Sequence, residues 1–413
     1  MTALADLDDV TVKPGWWAHR FGDLPRTFWT LFVAIGVSRI GFVVVPFLAF
    51  WLVTDRRMST AAAGLVLAAF GAGWTAGQPL GGALADRLGR KAVIIASAWA
   101  SAGAFLLLGS AQTTAWLCVW AAVAGVTFDM GRPAVQALMT DTTAPHRRAA
   151  ALSLLYMIMN LSRAASCVLG GTLAERSSWW ALFVLNAALN IAFGLVILRT
   201  VTEQHPGRAQ AGAGWSVALR DRAFVRFTLV TLAFFVIHTQ SVVTLPIVIS
   251  QAGVSPLWFG LILSADPLAV VVIQLLAQRR LTSLPAARVC AAGIAAVGVG
   301  LAVAGMGSSV GWFFATTPLW IAGEVAFLAT APGIVAALAP EQLRGAYFGL
   351  WGATLGAAGL IAPIVATALI STGGTDLLWA CCIAGAAVTA AACLRLEHTS
   401  LGQMATSSST TGE

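Results

Sequence analysis

The chain has 413 residues, of which 58% are hydrophobic and 10% are charged, with a formal net charge of +7. Because an ordinary soluble domain is about a quarter charged, this composition excludes a single globular domain with a water-exposed surface. The mean hydropathy of +0.83 predicts lipid as the solvent. The basic residues lie in short loops between apolar runs, a membrane-protein pattern that excludes nucleic acid as a partner.

Residues 1–23 are polar and form a predicted cytoplasmic N-terminal segment. They lack the basic start and apolar core of a signal peptide, so the first membrane helix is expected to direct insertion. Twelve apolar runs follow, each about 18 to 27 residues long, and each is predicted to cross roughly 30 Å of hydrocarbon as a helix. The predicted spans are 27–52, 60–83, 92–110, 114–138, 149–173, 179–198, 224–250, 256–278, 289–306, 312–337, 344–370 and 376–394.

The longest polar break follows the sixth run and divides the chain into two halves of six helices. The predicted parts are an N-terminal bundle at 24–199, a cytoplasmic linker at 200–222, a C-terminal bundle at 223–395 and a cytoplasmic tail at 396–413. When both termini are placed in the cytoplasm, only Arg56, Arg57 and Arg176 fall in the outside loops. Because basic loops stay on the cytoplasmic side, this orientation is the predicted one.

A charged turn separates the second and third runs. It reads Gly82-Ala-Leu-Ala-Asp86-Arg87-Leu-Gly89-Arg90-Lys91. Gly82 allows close helix approach, Gly89 allows a tight reversal, and Asp86 is expected beside the positive N-terminal end of a nearby helix. The basic residues Arg87, Arg90 and Lys91 hold the turn in the cytoplasm, where they pair with headgroups or carboxylates.

The pattern G-x-x-x-D-R-x-G-R-K resembles the signature loop of the major facilitator superfamily. The resemblance implies an all-α membrane protein with twelve transmembrane helices in two pseudo-symmetric six-helix bundles, working by alternating access. It also implies that Asp86 contacts the entry to the eleventh helix, at 340–345, and stabilises one of two access states.

An internal repeat supports two parallel halves. Residues 58–71 align without gaps on 254–267 at an offset of 196, with five identities. The identities are Ser59, Gly64, Leu65, Leu67 and Ala69 with Ser255, Gly260, Leu261, Leu263 and Ala265. The second-half turn at 277–283 keeps basic residues but has no Asp, so the two halves are not expected to gate alike.

Seven ionisable residues fall near the middle of predicted spans, where charge is costly and calls for partners or water. They are Arg39, Asp129, Arg132, Arg163, His238, Asp266 and Glu324. Asp129 and Arg132 share a helix face, either as a self-neutralising pair or as a proton or cation site tuned by the arginine. The repeat offset carries Asp129 to position 325, next to Glu324, so these two carboxylates are expected to face one cavity. At least one of Asp129, Asp266 and Glu324 is expected to load protons and couple them to transport.

Two further stretches resemble the drug/proton antiporter branch of the superfamily. Ser38-Arg39-Ile-Gly41 lies in a first helix of that type, and Arg39 either anchors an acidic partner or meets anionic substrate groups. Helix 5, at 160–171, resembles N-L-G-x-x-x-G-P-x-x-G-G but has Ser166-Cys167 in place of Gly-Pro. Arg163 in this stretch is expected to pair with Asp129 or Glu324. His238 and Gln240 either line the same cavity or serve packing.

The predicted function is proton-coupled export of small lipophilic compounds, with proton-coupled uptake of a small organic solute as the alternative. A membrane receptor or sensor is a remote third. The chain shows no nucleophile–base pair and no H-E-x-x-H, and its six cysteines lie in apolar runs without metal-ligand spacing, so no enzyme activity, cofactor or metal is expected. The expected partners are a small-molecule substrate, protons and membrane lipids, and the chain is expected to be a monomer in the cell membrane.

Overall fold

A computed structural model describes residues 26–141, 143–144, 148–201, 213–276, 284–340 and 343–396, and in this part of the chain all regular structure is helical. The predicted N-terminal segment, the second-half turn at 277–283, residues 202–212 of the linker and nearly all of the tail lie outside the described residues. The helices are α1 (Arg26–Ile40), α2 (Val44–Thr54), α3 (Thr60–Leu88), α4 (Arg90–Ser110), α5 (Thr114–Phe128), α6 (Arg132–Asp141), α7 (Arg148–Arg176), α8 (Trp179–Thr200), α9 (Ala213–Arg220), α10 (Arg222–His238), α11 (Gln240–Val243), α12 (Leu245–Gln251), α13 (Pro256–Leu276), α14 (Ala286–Gly305), α15 (Val310–Leu338) and α16 (Arg344–Leu396), with a 3-10 turn at Gly41–Val43.

Ten runs of described helix are long and apolar enough to cross a membrane. One of them, within α16, contains two residues with non-helical backbone, Gly373 and Gly374, and Gly374 has a φ of 72° that favours glycine. The chain reverses there. Residues 344–372 run parallel to α10 and 375–396 run antiparallel to α14, while α10 and α14 begin at the same end, where Ala223 and Ala287 border one cavity. With α13 as a further apolar helix, each of the twelve predicted spans falls on a described helix.

Three predicted spans are broken, which the sequence prediction of continuous helices did not include. The first is interrupted by the 3-10 turn at Gly41–Val43, and the fourth between Phe128 and Arg132. The seventh is interrupted at Thr239 and Thr244. Helix breaks at membrane depth are tolerated where neighbouring helices or a cavity satisfy the freed backbone groups.

Polar side chains fix several helix starts. In each case a Ser, Thr or Asp before the first turn accepts a hydrogen bond from a backbone N–H that has no partner within the helix. The residues are Ser59, Thr113, Ser178, Asp221 and Ser309. These caps place the loops between apolar runs close to where the sequence predicted them.

Glycine allows the helices within each half to pack closely. Gly73 and Gly77 of α3 lie directly against the backbone of α5, so that any side chain there would overlap carbonyl oxygens. Gly293 of α14 and Gly323 of α15 face each other's backbone in the same way. Without a hydrophobic driving force in lipid, such backbone proximity supplies much of the packing energy.

The two halves touch at one end of the bundle and separate toward the other. We call the end at the Gly89 turn the motif end and the end at the Gly374 reversal the far end. Toward the far end, Gly64 packs on Thr367, and near the middle Gly71 packs on Gly359. Two turns of α16 closer to the motif end, Gly349 lies on the same face as Gly356 but has no neighbouring atom within 4 Å of a Cβ position. Among the described residues, the two halves therefore separate toward the motif end on this face of α16, and we call the space between them the gap.

Candidate functional site

The N-terminal half holds a three-membered ion cluster at mid-span. Asp129 accepts a hydrogen bond from Arg39 Nη2 at 3.0 Å on one carboxylate oxygen and from Arg132 Nη1 at 3.2 Å on the other. Asp129 is buried, so an unpaired carboxylate here would be strongly unfavourable. The two arginines satisfy both oxygens, and the cluster carries one net positive charge when all three are ionised.

Two helix breaks bring this cluster together. Asp129 follows the end of α5, and Arg132 begins α6 three residues later. Arg39 lies in the last turn of α1, directly before the 3-10 turn, and its guanidinium stacks over the Phe42 ring at 4.6 Å. A cavity of about 40 Å³ beside the cluster is bordered by polar side chains that include Ser101 and Asn190, which is room for a few water molecules.

The C-terminal half repeats the arrangement with different residue types. His238 Nε2 lies 2.9 Å from Glu324 Oε2, and Glu324 is buried in α15. His238 ends α10 at the break of the seventh span, as Arg39 adjoins the break of the first. The two basic residues are 199 positions apart and the two carboxylates 195, close to the repeat offset of 196. Each half therefore binds a carboxylate of its fourth helix to a base beside the break in its first helix.

A third pair crosses from one half to the other. The Arg163 guanidinium on α7 contacts Asp266 Oδ2 on α13. Asp266 is buried, and Pro267 follows it. The sequence-based expectation that Arg163 pairs with Asp129 or Glu324 is wrong as to the direct partner, because those carboxylates already bind bases of their own half. Arg163 does lie within electrostatic range of Glu324, so charges of both halves interact.

Gln240 is fully engaged in helix-to-helix hydrogen bonds. Its Nε2 donates to the carbonyls of Val236 at 3.2 Å and Ala362 at 3.3 Å, and its Oε1 accepts from Thr244 Oγ1 at 2.6 Å. The side chain is buried. It joins the broken seventh span to the first arm of α16, and its role as a substrate contact stays a prediction.

The signature turn has the tight backbone reversal that the sequence predicted at Gly89. Gly89 has a φ of 91° and separates α3 from α4, while Arg87 is exposed. Gly82 has no neighbouring atom within 4 Å of a Cβ position. The Asp86 side chain and residues 341–342 lie outside the described residues, so the contact of Asp86 with the entry to α16 stays a prediction.

Two contacts between helices were not anticipated from the sequence. Arg132 also hydrogen-bonds the hydroxyl of Tyr156 on α7. Glu175 at the far end of α7 accepts from Ser255 Oγ at 2.6 Å and from Leu257 N at 3.0 Å, so one half caps a helix N-terminus of the other. Tyr156 lies two helical turns before Arg163, and this spacing is the signal that could have placed both on one face.

The fold and the site together define a class of protein. It is a multi-pass helical membrane protein with two pseudo-symmetric halves, a gap between them and ion pairs at the depth where the gap closes. This is the architecture of a secondary transporter, in which two repeats move against each other around a central site.

The family model described as Major Facilitator Superfamily matches residues 28–320. The chain belongs to the major facilitator superfamily, a family of membrane transporters and not of enzymes.

Curated relatives and solved structures agree with this family. The chain is similar to "Multidrug resistance protein MdtH" of Klebsiella pneumoniae (strain 342), with 28% identity over 297 residues, 68% of this chain and 71% of the relative. It is also similar to "Na(+), Li(+), K(+)/H(+) antiporter" of Planococcus maritimus, with 24% identity over 361 residues, 78% of this chain and 84% of the relative. Among solved structures, the nucleoside transporter NupG aligns with a TM-score of 0.76 and 12% identity, covering 90% of this chain and 99% of that one. The peptide transporter POT with sulfate aligns with a TM-score of 0.74 and 17% identity, covering 90% and 94%.

Proposed function

We propose that this protein is a proton-coupled transporter that exports small lipophilic compounds by alternating access, with both termini in the cytoplasm. The observation that carries the proposal is the ion pair between Arg163 and Asp266, which joins the two halves at mid-span. The basic loops favour a cytoplasmic motif end. The open gap then faces inward, where an exporter loads its substrate.

The coupling step follows from the cost of buried charge. While Asp266 is ionised, separation from Arg163 would leave a carboxylate unpaired at mid-membrane, which is strongly unfavourable. A proton on Asp266 removes that charge and with it the attraction across the halves. The halves can then separate at the far end. Asp129 and Glu324 are further candidate proton sites, because each also depends on a base for its neutralisation.

The names of two relatives favour export driven by protons. One relative is called a multidrug resistance protein and the other a cation/proton antiporter. Uptake by symport is the second candidate, because one observation favours it. The charge most exposed to the gap is the cation Arg163, whereas the carboxylates are covered, and a proton that neutralises Asp266 would free this cation for an anionic solute.

Transport into proteoliposomes tests the coupling. A panel of labelled lipophilic compounds is offered to vesicles with the lumen acid, with the outside acid, or with no gradient. An antiporter accumulates solute when the lumen is acid, and a symporter when the outside is acid, whichever way the protein is inserted. Asp129→Asn, Asp266→Asn and Glu324→Gln are compared with wild type, and Asp376→Asn at an exposed position is the matched control.

We expect at least one of the three neutral variants to lose gradient-driven accumulation while the control keeps it. If all three variants keep the full gradient dependence of wild type, the coupling proposal is wrong. Equal accumulation with and without a gradient in wild type would contradict proton coupling altogether.

A further inference from the structure

The charge presented to the gap is positive. The Arg163 side chain is 49% exposed, whereas the side chains of Asp266 and Glu324 are each 6% exposed and that of Asp129 is 3% exposed. The buried carboxylates at mid-span are thus covered by their bases. The guanidinium of Arg163 contacts Asp266 on one side and leaves the other side open.

The open side of Arg163 faces the gap. Toward the far end, Cys167 and Gly171 on the same helix are packed on α13, so no space remains there. Toward the motif end, Tyr156 is exposed, and its hydroxyl reaches Arg132 of the other ion cluster. Arg163 therefore lies where the contact between the halves ends and the gap begins, at the height of the buried charges.

We propose that Arg163 is a binding site for the anionic group of the transported solute, which makes the solute class a small organic anion with an apolar body. A guanidinium offers five N–H donors in a planar fork that matches a carboxylate in two-point geometry. Aromatic rings adjoin the charges, with Phe42 beside Arg39 and the exposed Tyr156 on the same helix as Arg163. Such rings suit the apolar body of the solute.

The inference rests on the symport alternative of the proposed function, because a proton and an anion that bind together cross in the same direction, and it specifies the substrate of that site. An anion on Arg163 competes with the Asp266 carboxylate for the same guanidinium. A proton on Asp266 removes the competitor, so proton and anion bind together and not in exclusion. Among the described residues, the other titratable groups that interact with Arg163 are Glu324, which binds His238, and Cys167 on its own helix.

The test is binding to the purified full-length protein in detergent, measured as a shift of Tm with ligand concentration. The probes are two matched sets of equal apolar body: 2-naphthoate with 2-naphthylmethylammonium, and 4-phenylbutyrate with 4-phenylbutylammonium. The anions are expected to raise Tm and the cations are not. Arg163→Gln should weaken anion binding by about 10- to 100-fold, the range for a lost charge-assisted contact. Arg176→Gln, an exposed arginine at the end of the same helix, is the control and should bind as wild type.

A second variant separates binding from a purely structural role. Asp266→Asn removes the competitor, so it should bind 2-naphthoate more tightly than wild type at neutral pH. Wild type should gain affinity as the pH falls, whereas Asp266→Asn should not. If Arg163→Gln fails to fold, Arg163→Lys keeps the charge but not the fork and should bind with intermediate affinity.

The proposal is overturned if the cations bind as well as the anions, if no anion shifts Tm, or if Asp266→Asn weakens anion binding. These failures are distinct from failure of the proposed function. Gradient-driven transport of cationic or neutral compounds without anion binding would overturn the anion site and leave proton-coupled transport standing. Anion binding without any gradient effect on transport would leave the anion site standing and overturn proton-coupled transport.

Discussion

The contact of Glu175 with α13 predicts how the far end is held closed. One carboxylate oxygen accepts from Ser255 Oγ at 2.6 Å and from Leu257 N at 3.0 Å, and these donors belong to the other half. A carboxylate at a helix N-terminus is favoured by the helix dipole as well as by the hydrogen bonds. Breaking this contact must therefore favour states in which the far end is open.

The magnitude follows from the number and exposure of the bonds. Two charge-assisted hydrogen bonds would contribute several kcal/mol if buried, but this site is exposed to solvent, so about 1 to 2 kcal/mol is the appropriate figure. Glu175→Gln should then raise the open-to-closed ratio at the far end by about 5- to 30-fold. This rise in the open-to-closed ratio is expected at every step of the transport cycle that breaks the contact of Glu175 with Ser255 and Leu257.

Hydrogen–deuterium exchange of the purified protein measures this without labels. Peptides covering 173–179 and 252–258 should exchange faster in Glu175→Gln, and Asp376→Asn should leave them unchanged. Alternating access adds that peptides around the signature turn, 84–92, should exchange more slowly, because the motif end closes as the far end opens. Unchanged exchange at both far-end segments, or faster exchange everywhere, would refute the reasoning.

Three other predictions follow from the buried contacts. Asp129→Ala leaves two arginine charges without their carboxylate and should destabilise the protein by about 3 to 5 kcal/mol, seen as a fall in Tm. Adding Arg39→Gln should recover part of this loss, and no recovery would contradict the ion cluster. Gly71→Val should separate the two helices that meet there and lower transport at least tenfold, whereas Gly103→Ala, which has open space, should transport as wild type. Gln240→Leu leaves a buried hydroxyl and carbonyl without their partner and should lower the free energy of unfolding by about 1 to 3 kcal/mol, seen as a fall in Tm. The dependence of transport on the pH gradient should not change, and a lost gradient response would show a role beyond packing.

Much of the fold was predictable because membrane insertion depends on amino-acid composition and on the spacing of apolar residues along the chain. Apolar runs must be helices in lipid, and their lengths are limited by bilayer thickness. The charged residues also stood out at mid-span, since each is costly there. The repeat offset placed Glu324 beside the equivalent of Asp129, and the structure binds each to a base at a matching helix break.

The pairing of Arg163 was not predictable from the sequence. A helix face can be read from spacing, but the helix it meets depends on how two halves pack against each other. The breaks in the first and seventh spans were also missed, because Gly41 and Thr239 lie in apolar runs that read as continuous. Glu175 lies close to a predicted loop, where a carboxylate normally meets water and gives no sign of an interhelical partner.

The repeat offset also relates the two sides of the contact between the halves. It carries Gly71 to Pro267, beside Asp266, and Arg163 to Gly359, so the Gly71–Gly359 contact and the Arg163–Asp266 pair occupy equivalent places. One side is a backbone contact that acidity does not alter, and the other is ionic. Protonation of Asp266 therefore weakens only the contact between α7 and α13, while the contact between α3 and α16 stays and acts as the pivot. The two halves should then separate asymmetrically, with α7 and α13 moving apart first.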